Sequence, residues 1–375
     1  PDWDHVGKRL RLQWTEKDQS GRDVIFYSNT LEVTFVKLAD EAIYFGFTSG
    51  EARVSLNQSP DNDLYYSTGA NWSRVGSVGS SYATHLQPNK IYGFVAKSSL
   101  RGFRFNEYDP LKHGNDADYD EVYYEGELPK DRWTTGDIKL HDFSCMKYIT
   151  NVAYMFSGLD KFNQNLDWWP MGNVTNMKQF LAWGHSFNQD VSAWDWSGSA
   201  VFDDAFTHCR RFNRPVHNMQ IGTGSVAVEK AVGMFKGCHV FNQSIANLNL
   251  HTAYLLAYFL HGAESFNSDV GNYSFDPSVH GSKYTSIDLK HFFHGCKSFD
   301  RPVPWNTSLA RSLDGMFYGC EIFNQPVRFD TSNNETVRYM FYGCRRFDQY
   351  LDFDVSKCTN FQYTFLRATK YNKDL

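Results

Sequence analysis

A five-residue phrase recurs nine times towards the C-terminus and constrains the fold of this chain more than any other feature. The phrase is an aromatic residue, Asn or Asp, two variable residues and an apolar residue, first at 162–166 and last at 371–375. Its leading aromatic residues are 24 to 33 residues apart, most often 24 or 25. A second phrase, Met-Phe-x-Gly-Cys, precedes it and is clearest at 316–320 and 340–344. One repeat of this size cannot bury its apolar side alone, so the sequence predicts stacked coils that share a core.

The period and the residue pattern predict a leucine-rich-repeat-like α/β solenoid of about nine coils with 24–25 residues each. Apolar residues at helical spacing in 174–181 predict one short helix per coil, which the Gly of the second phrase would end. The aromatic phrase is typical of strands and predicts one short parallel strand per coil, with neighbouring strands about 4.8 Å apart.

The first 106 residues lack this repeat and alternate apolar and polar residues in short runs, at 31–36, 42–47 and 91–96. Turn residues separate the runs, a pattern typical of an antiparallel β-sandwich or jelly roll. An acidic, Tyr-rich stretch follows. We therefore predict a multi-domain chain with a β-sandwich domain at 1–106, a linker and solenoid N-cap at 107–140, and the solenoid at 141–375.

Two sets of residues occupy fixed repeat positions and are predicted to form ladders inside the stack. Small or apolar residues replace Cys in the other copies, which predicts a tight buried slot rather than disulfides or a zinc site. The Asn after each leading aromatic residue is expected to bond backbone groups at the turn. The predicted ladder residues are Cys209, Cys238, Cys296, Cys320, Cys344, Asn163, Asn188, Asn213, Asn242, Asn267 and Asn324.

Aromatic and basic residues at one end of the predicted helices form the candidate binding face, because flat rings beside Arg are common in recognition surfaces. Two Trp residues of the early coils also belong to the candidate face, because an indole ring can serve as a platform for a sugar ring. An ordinary solvated face and a buried core are the alternative interpretations of these two groups. The candidate residues are Arg210, Arg211, Tyr318, Tyr342, Arg345, Arg346, Trp168 and Trp194. His261 and His294 share a repeat position, where a metal pair is a weaker alternative to a variable exposed face.

Composition and motifs exclude several classes of function. The chain carries 37 Lys and Arg against 42 Asp and Glu, so no basic excess indicates a nucleic-acid partner. It contains no run of 18 apolar residues and no signal-peptide pattern, so we expect no membrane insertion. No nucleophile elbow, P-loop, metalloprotease or dinucleotide motif is present, and we expect neither catalytic residues nor a cofactor nor a bound metal. A pair of carboxylates acting on a glycan stays open as a third option.

The repeats resemble the BspA-type leucine-rich repeat family, a Mycoplasma-type surface repeat of unknown function. Residues 173–177, Asn-Val-Thr-Asn-Met, match the first half of its pattern, and 340–349 match the second half with Asp348 in place of Asn. The second copy departs from the pattern at Trp183 and Gly184. The resemblance covers about residues 141–375 and implies adhesion at a cell or virion surface rather than a reaction. More loosely, 64–73 and 90–96 resemble a β module that precedes such repeats in bacterial surface and phage-encoded proteins.

We therefore expect an extracellular, non-enzymatic protein that attaches to a host glycan or protein through the repeat face. The alternative is a structural subunit of a virion, tail or filament, whose partners are neighbouring subunits, including further copies of the chain. The chain stops within the repeat phrase, which predicts that another segment or a partner covers the last coil.

Overall fold

The architecture is that of a computed structural model, which describes the chain in separate ranges. The described ranges are 9–10, 13–17, 23–27, 31–32, 42–47, 52–56, 62–67, 72–79, 84–88, 90–95, 101–105, 138–142, 149–167, 169, 171–216, 227–276, 278 and 285–373.

Twelve strands lie before residue 143. They are β1 (Arg9–Leu10), β2 (Gln13–Lys17), β3 (Asp23–Tyr27), β4 (Leu31–Glu32), β5 (Ala42–Phe47), β6 (Ala52–Leu56), β7 (Asn62–Ser67), β8 (Trp72–Val78), β9 (Thr84–Leu86), β10 (Lys90–Val95), β11 (Phe103–Arg104) and β12 (Lys139–Asp142). They form a five-stranded sheet in the order β12-β5-β10-β7-β8, a three-stranded sheet in the order β11-β6-β9, and the pairs β1-β4 and β2-β3. Every one of these pairings is antiparallel.

Alternating apolar residues hold the two larger sheets together. Ile43, Phe45 and Phe47 on β5 are fully buried, because successive side chains of a strand point to opposite sides of the sheet. The ring of Phe45 lies 6.3 Å from that of Phe103 on β11, so side chains of the two sheets meet in one core.

The described residues after 148 form nine repeats, each of which begins at a residue that forms a parallel bridge to a neighbouring repeat. We number the repeats 1 to 9 from these residues, which are Asn151, Asn176, Val201, Lys230, Leu255, Asp288, Ser312, Thr336 and Asn360. Every bridge is parallel and one or a few residues long, with the longest pairing between β13 (Ile287–Asp288) and β14 (Ala310–Ser312). The only other regular element described here is a 3-10 turn at Met171–Asn173.

The backbone of each repeat passes through the left-handed region twice, at the residues three and seven positions after the bridge. In repeat 8 these are Tyr339 at φ 58° and Gly343 at φ 71°. The same pair of positions has positive φ in all nine repeats. Ten of these eighteen residues are not Gly, although left-handed backbone costs such residues about 1–2 kcal/mol each. Contacts between repeats must offset that cost.

Backbone hydrogen bonds explain the left-handed residues. In repeat 1, the N–H groups of Tyr154, Phe156 and Gly158 donate to carbonyls of repeat 2, at 2.9, 2.9 and 2.8 Å. The intervening N–H groups of Met155 and Ser157 donate three residues back within their own repeat. This alternation recurs along the stack. Every second N–H group of the turn bonds within its own repeat, and the N–H groups between them bond the next repeat.

The predicted fold class is therefore wrong. No α-helix occurs in the residues that the structure describes, the sheets before residue 143 are small and antiparallel, and a jelly roll is not seen. The predicted helix at 174–181 is a series of turns, because Gln179 is left-handed at φ 49° and its N–H donates to Asp203 of the next repeat. The aromatic phrase at 162–166 is likewise not a strand, and the parallel bridges lie upstream of the turn instead.

Two columns of rings fill the core of the repeats. One column contains the leading aromatic residues from Phe162 to Tyr371, whose successive centroids are 5.7–6.2 Å apart with planes within 23° of parallel. The second column packs against the first, as where Phe235 lies 4.5 Å from Phe241. These contacts recur because the same ring occupies the same position in successive repeats. Each repeat therefore stacks on the one that follows it in the sequence.

The β-sheets join repeat 1 directly. Arg101 O accepts hydrogen bonds from the N–H groups of Thr150 and Asn151, and the N–H of Phe105 donates to Met155 O. Segment 101–105 thus contacts repeat 1 as one repeat contacts the next. The predicted domain boundaries stay a prediction, although β12 continues across the one at 140/141.

Candidate recognition face

Aromatic and imidazole rings line one side of repeats 5 to 9, in what we call the ring strip. The strip occupies two positions per repeat, the first left-handed residue and the residue just before the second. Its members are Tyr258, His261, His291, His294, Tyr318, Tyr339, Tyr342 and Tyr363. The two positions lie on the same side because the chain between them turns back over the core.

Rings of the strip stack face to face from one repeat to the next. Tyr318 lies 4.2 Å from His294 on one face and 4.4 Å from Tyr342 on the other. Tyr258 and His291 are 5.0 Å apart with planes 9° from parallel. The faces are therefore covered by neighbouring rings, and the strip offers ring edges and polar atoms to a partner.

The histidines of the strip are neutral at pH 7. Burial lowers the pKa of His291 to about 4 and that of His294 to about 3, and nearby charges add to the effect. Burial also lowers the pKa of His261 well below its usual value. The Nδ1 atoms of His291 and His294 are 3.0 Å apart, so one ring donates and the other accepts. These neutral rings can stack without charge repulsion.

The four predicted arginines are all exposed, and each pair lies in the turn that follows the Cys position of its repeat. Arg210 and Arg211 lie in repeat 3, and Arg345 and Arg346 occupy the same two positions in repeat 8. Arg345 approaches Glu321 at 3.4 Å, in an ion pair exposed to solvent. Arg345 and Arg346 therefore follow Tyr342 within repeat 8, whereas Arg210 and Arg211 lie in repeat 3, outside the repeats that carry the ring strip.

Of the two predicted Trp residues, the structure describes Trp194, which does not join this face. Trp194 is fully buried, its Nε1 donates to Leu166 O at 2.7 Å, and its ring stacks on Trp196 at 5.4 Å. A buried indole has no face for a sugar, so Trp194 belongs to the core. Trp168 lies outside the described residues.

The five cysteines at the shared position are free and buried. Each thiol donates to a carbonyl of the preceding repeat, as from Cys320 to Phe293 O at 3.1 Å and from Cys344 to Phe317 O at 2.9 Å. Burial raises the thiol pKa of Cys209, Cys296 and Cys344. These groups are packed as small core side chains rather than as nucleophiles.

The Asn ladder links all nine repeats. The Oδ1 atom of Asn163 accepts the N–H of Asn188 at 2.9 Å, and each later step repeats this bond, with Asp300 and Asp348 as the acceptors in repeats 6 and 8. In several repeats the following side chain also bonds the preceding repeat, as from Gln325 Nε2 to Asp300 Oδ1 at 3.0 Å. The ladder side chains are therefore occupied with backbone contacts.

Sequence reasoning missed part of the strip and one buried acid. The first left-handed position carries Tyr258, His291, Tyr339 and Tyr363, and aligning the repeats three residues upstream of His261 would have shown these rings. At the same position in repeat 3, burial raises the pKa of Asp204 to about 7, although Lys236 opposes the shift. No single-sequence motif marks this residue.

The described residues contain no cluster of three or more His, Cys, Asp or Glu arranged to hold a metal ion. The rings of His261 and His294 lie 4.3 Å apart with planes tilted by 57°. In the same ranges, no helix has the length and apolar character needed to cross a membrane.

A sequence profile covering most of the chain places it in a family. The profile described as "Mycoplasma protein of unknown function, DUF285" matches residues 132–227, 222–284 and 282–375. The chain belongs to this family. No curated protein and no solved structure matches the chain.

Proposed function

We propose that this is a non-enzymatic attachment protein, displayed on a cell or virion surface, which binds a host glycan or protein through the repeat face. That its repeats are of the BspA type is part of the proposal. The observation that supports it most is the regular placement of exposed side chains. The exposed pair Arg210 and Arg211 in repeat 3 recurs as Arg345 and Arg346 in repeat 8, and the second pair follows the partly buried rings of the strip.

A stack of repeats suits attachment because variation at surface positions leaves the core unchanged. The Asn and Phe columns are nearly uniform, whereas the residue before the second left-handed position varies from Lys236 to His261 to Tyr318. Specificity can thus change at one position without a change in packing.

The test compares the full chain with a variant that lacks all four arginines, R210S/R211S/R345S/R346S, in binding to a panel of animal and bacterial cells. The matched control is R311S/R328S, because Arg311 and Arg328 are also exposed but lie outside this turn. We expect saturable binding by the unmodified chain and the control, and about a tenfold loss in the fourfold variant, as several exposed charge contacts disappear.

Equal binding by all three proteins would contradict the role of this face. No binding to any cell, together with self-association in analytical ultracentrifugation, would favour the structural-subunit alternative.

A further inference from the structure

Positive charge is concentrated along one line of turns. We call this line the turn row, and it consists of the two residues that follow the Cys position in each repeat, from 160–161 to 369–370. The row contains seven Lys or Arg residues and three carboxylates, whereas the whole chain has a net charge of −5. An anionic partner would therefore be attracted to the row and repelled by much of the remaining surface.

Backbone bonds align the row from repeat to repeat. Carbonyls of the row accept N–H groups of the next repeat, from Ser186 to Asp160 O at 3.1 Å, from Ser298 to Glu264 O at 3.0 Å and from Arg346 to Glu321 O at 3.2 Å. Hydrogen-bonded parallel backbones are about 4.8 Å apart. Such bonds join the row at the steps between repeats 1 and 2, 4 and 5, 5 and 6, and 7 and 8.

An ion pair separates two positive sites in the row, and Arg345 of the second site is itself paired with Glu321 at 3.4 Å. Lys297 lies 2.9 Å from Glu264, which neutralises the middle of the row. Arg210 and Arg211 form the first site, and Arg345 and Arg346 form the second, next to Lys370. Five repeats separate the two arginine pairs, which corresponds to about 24 Å at the spacing of stacked backbones.

The neighbouring ring strip restricts what kind of anion can bind. Proteins that bind single-stranded nucleic acid stack bases on exposed aromatic faces. Here His294 and Tyr342 cover both faces of Tyr318. A nucleic acid duplex carries a charge about every 1.7 Å, whereas the middle of the row is neutralised by the Lys297–Glu264 ion pair and offers no matching series of cations. A flexible polymer with more widely spaced anionic groups and many hydroxyls needs neither exposed ring faces nor a cation at every step of the row.

We propose that the turn row binds an acidic polysaccharide that reaches from Arg210 and Arg211 to Arg345 and Arg346, an inference that rests on the proposed attachment function. Sulfate or carboxylate groups pair with the two arginine sites. Hydroxyl groups of the polymer meet the polar edges of Tyr318 and Tyr342. Arg suits this role because its planar group binds sulfate-like and carboxylate oxygens through two hydrogen bonds.

Two sites on one rigid stack make the affinity depend on ligand length. An oligosaccharide shorter than the separation engages one arginine pair, whereas a longer one engages both, and the second contact then forms at a high effective concentration. Binding also weakens with added salt, because the contacts are exposed charges.

The experiment measures binding of the full chain to heparin-derived oligosaccharides of two lengths, one well below and one well above about 24 Å in extended length. The variants are R210S/R211S, R345S/R346S and the control R311S/R328S, each checked for an unchanged thermal transition. Dextran of similar size and a DNA duplex are the comparison ligands.

We expect the long oligosaccharide to bind the unmodified chain at least about tenfold more tightly than the short one, and either arginine-pair variant to lose that gain. The control should keep it. An affinity independent of length, an unchanged gain in both variants, or equally tight binding of dextran or DNA would overturn the inference. If cell attachment needs the arginines but heparin does not bind, this inference fails while the proposed function stands.

Discussion

The β-sheets before residue 143 and the repeats after residue 148 bury similar aromatic cores by opposite means. In the sheets, extended strands pair with partners far along the chain, as β5 does with both β10 and β12. In the repeats, each short turn bonds the same turn of the next repeat, with only one-residue bridges between most of them. The pairing of extended strands determines the packing of the first region, and the stacking of equivalent side chains determines the packing of the second.

This difference shows what each kind of sequence pattern reveals. Alternation indicates a strand but not its partner. A repeat indicates the partner, because equivalent residues stack, but not the conformation of the backbone. The Phe columns and the Asn ladder follow from the repeat alone, while the left-handed pairs do not.

The largest effect is expected when a ring is removed from the middle of the stack. Phe235 is fully buried and contacts Phe206, Phe241 and Phe259. We expect Phe235→Ala to lower the free energy of unfolding by about 3–5 kcal/mol, measured by urea denaturation. Phe235→Leu is the matched control, with an expected loss near 1 kcal/mol. Leu181 and Leu260 occupy this position in repeats 2 and 5. Equal losses would show that refilling the volume with Leu does not restore stability, which would contradict the expected tolerance of this position.

A smaller loss is expected where a left-handed glycine lies under a neighbouring ring. A Cβ atom at Gly315, where φ is 59°, would collide with the imidazole of His291 in the preceding repeat. At Gly262, with φ 74°, the nearest such contact is an ordinary 3.7 Å from Gly237 Cα. Gly262→Ala should cost about 1–2 kcal/mol through backbone strain alone. Gly315→Ala should cost at least about 1 kcal/mol more. The same denaturation measurement compares them, and equal costs would contradict the packing of repeats 6 and 7.

The ring strip should make the stability of the repeats depend on pH. The pKa values of His291 and His294 are about 4 and about 3 in the folded chain, well below the usual 6.5. As the pH falls from about 6.5 towards 4, the unfolded chain takes up these protons first, so the free energy of unfolding decreases. Asp204 has the opposite effect on the free energy of unfolding. Because its pKa is raised to about 7, the folded chain takes up this proton at a higher pH than the unfolded chain, which stabilises the fold as the pH falls.

The variant His294→Tyr carries the residue found at Tyr318 and Tyr342 and removes one titrating ring. It should reduce the slope of stability against pH by up to about 1.4 kcal/mol per pH unit between pH 6.5 and 4. Thermal unfolding across this range measures the slope. An unchanged slope would show that His294 titrates normally in the folded chain.

The smallest effect is expected in the Asn ladder. Asn324 Oδ1 accepts the N–H of Asp348 at 2.9 Å and Gln349 Nε2 at 3.0 Å. Asn324→Ala should cost about 1–2 kcal/mol, since both donors lose their acceptor. Asn324→Asp keeps the acceptor, as Asp300 does in repeat 6, and should be nearly neutral. If Asp costs as much as Ala in thermal unfolding, the Oδ1 contacts do not hold the ladder together.

The sequence predicted repeat number, stacking order and ladder residues without a structure, because each depends only on which positions recur. It did not predict the backbone. The pattern at 174–181 has the apolar spacing of a helix, but Gln179 is left-handed and its N–H bonds the next repeat. The hydrogen bond to the next repeat thus determines the backbone conformation of Gln179, and local helix propensity does not contain that information. Trp194 was misplaced for a related reason, since composition does not show whether an indole lies inside or outside a stack.

Residue-resolved hydrogen exchange tests most directly whether alternate N–H groups bond the next repeat. In repeat 8, the N–H groups of Tyr339, Phe341 and Gly343 donate to repeat 9 at 3.0, 2.9 and 2.9 Å. The equivalent groups of Tyr363 and Phe365 in repeat 9 have no backbone acceptor within the described residues, whereas the N–H of Leu366 donates to Tyr363 O. We predict slow exchange for the three groups of repeat 8, fast exchange for Tyr363 and Phe365, and intermediate exchange for Leu366. Equal protection at the matching positions of repeats 8 and 9 would mean that each repeat bonds itself, as a helix does, and would contradict this account.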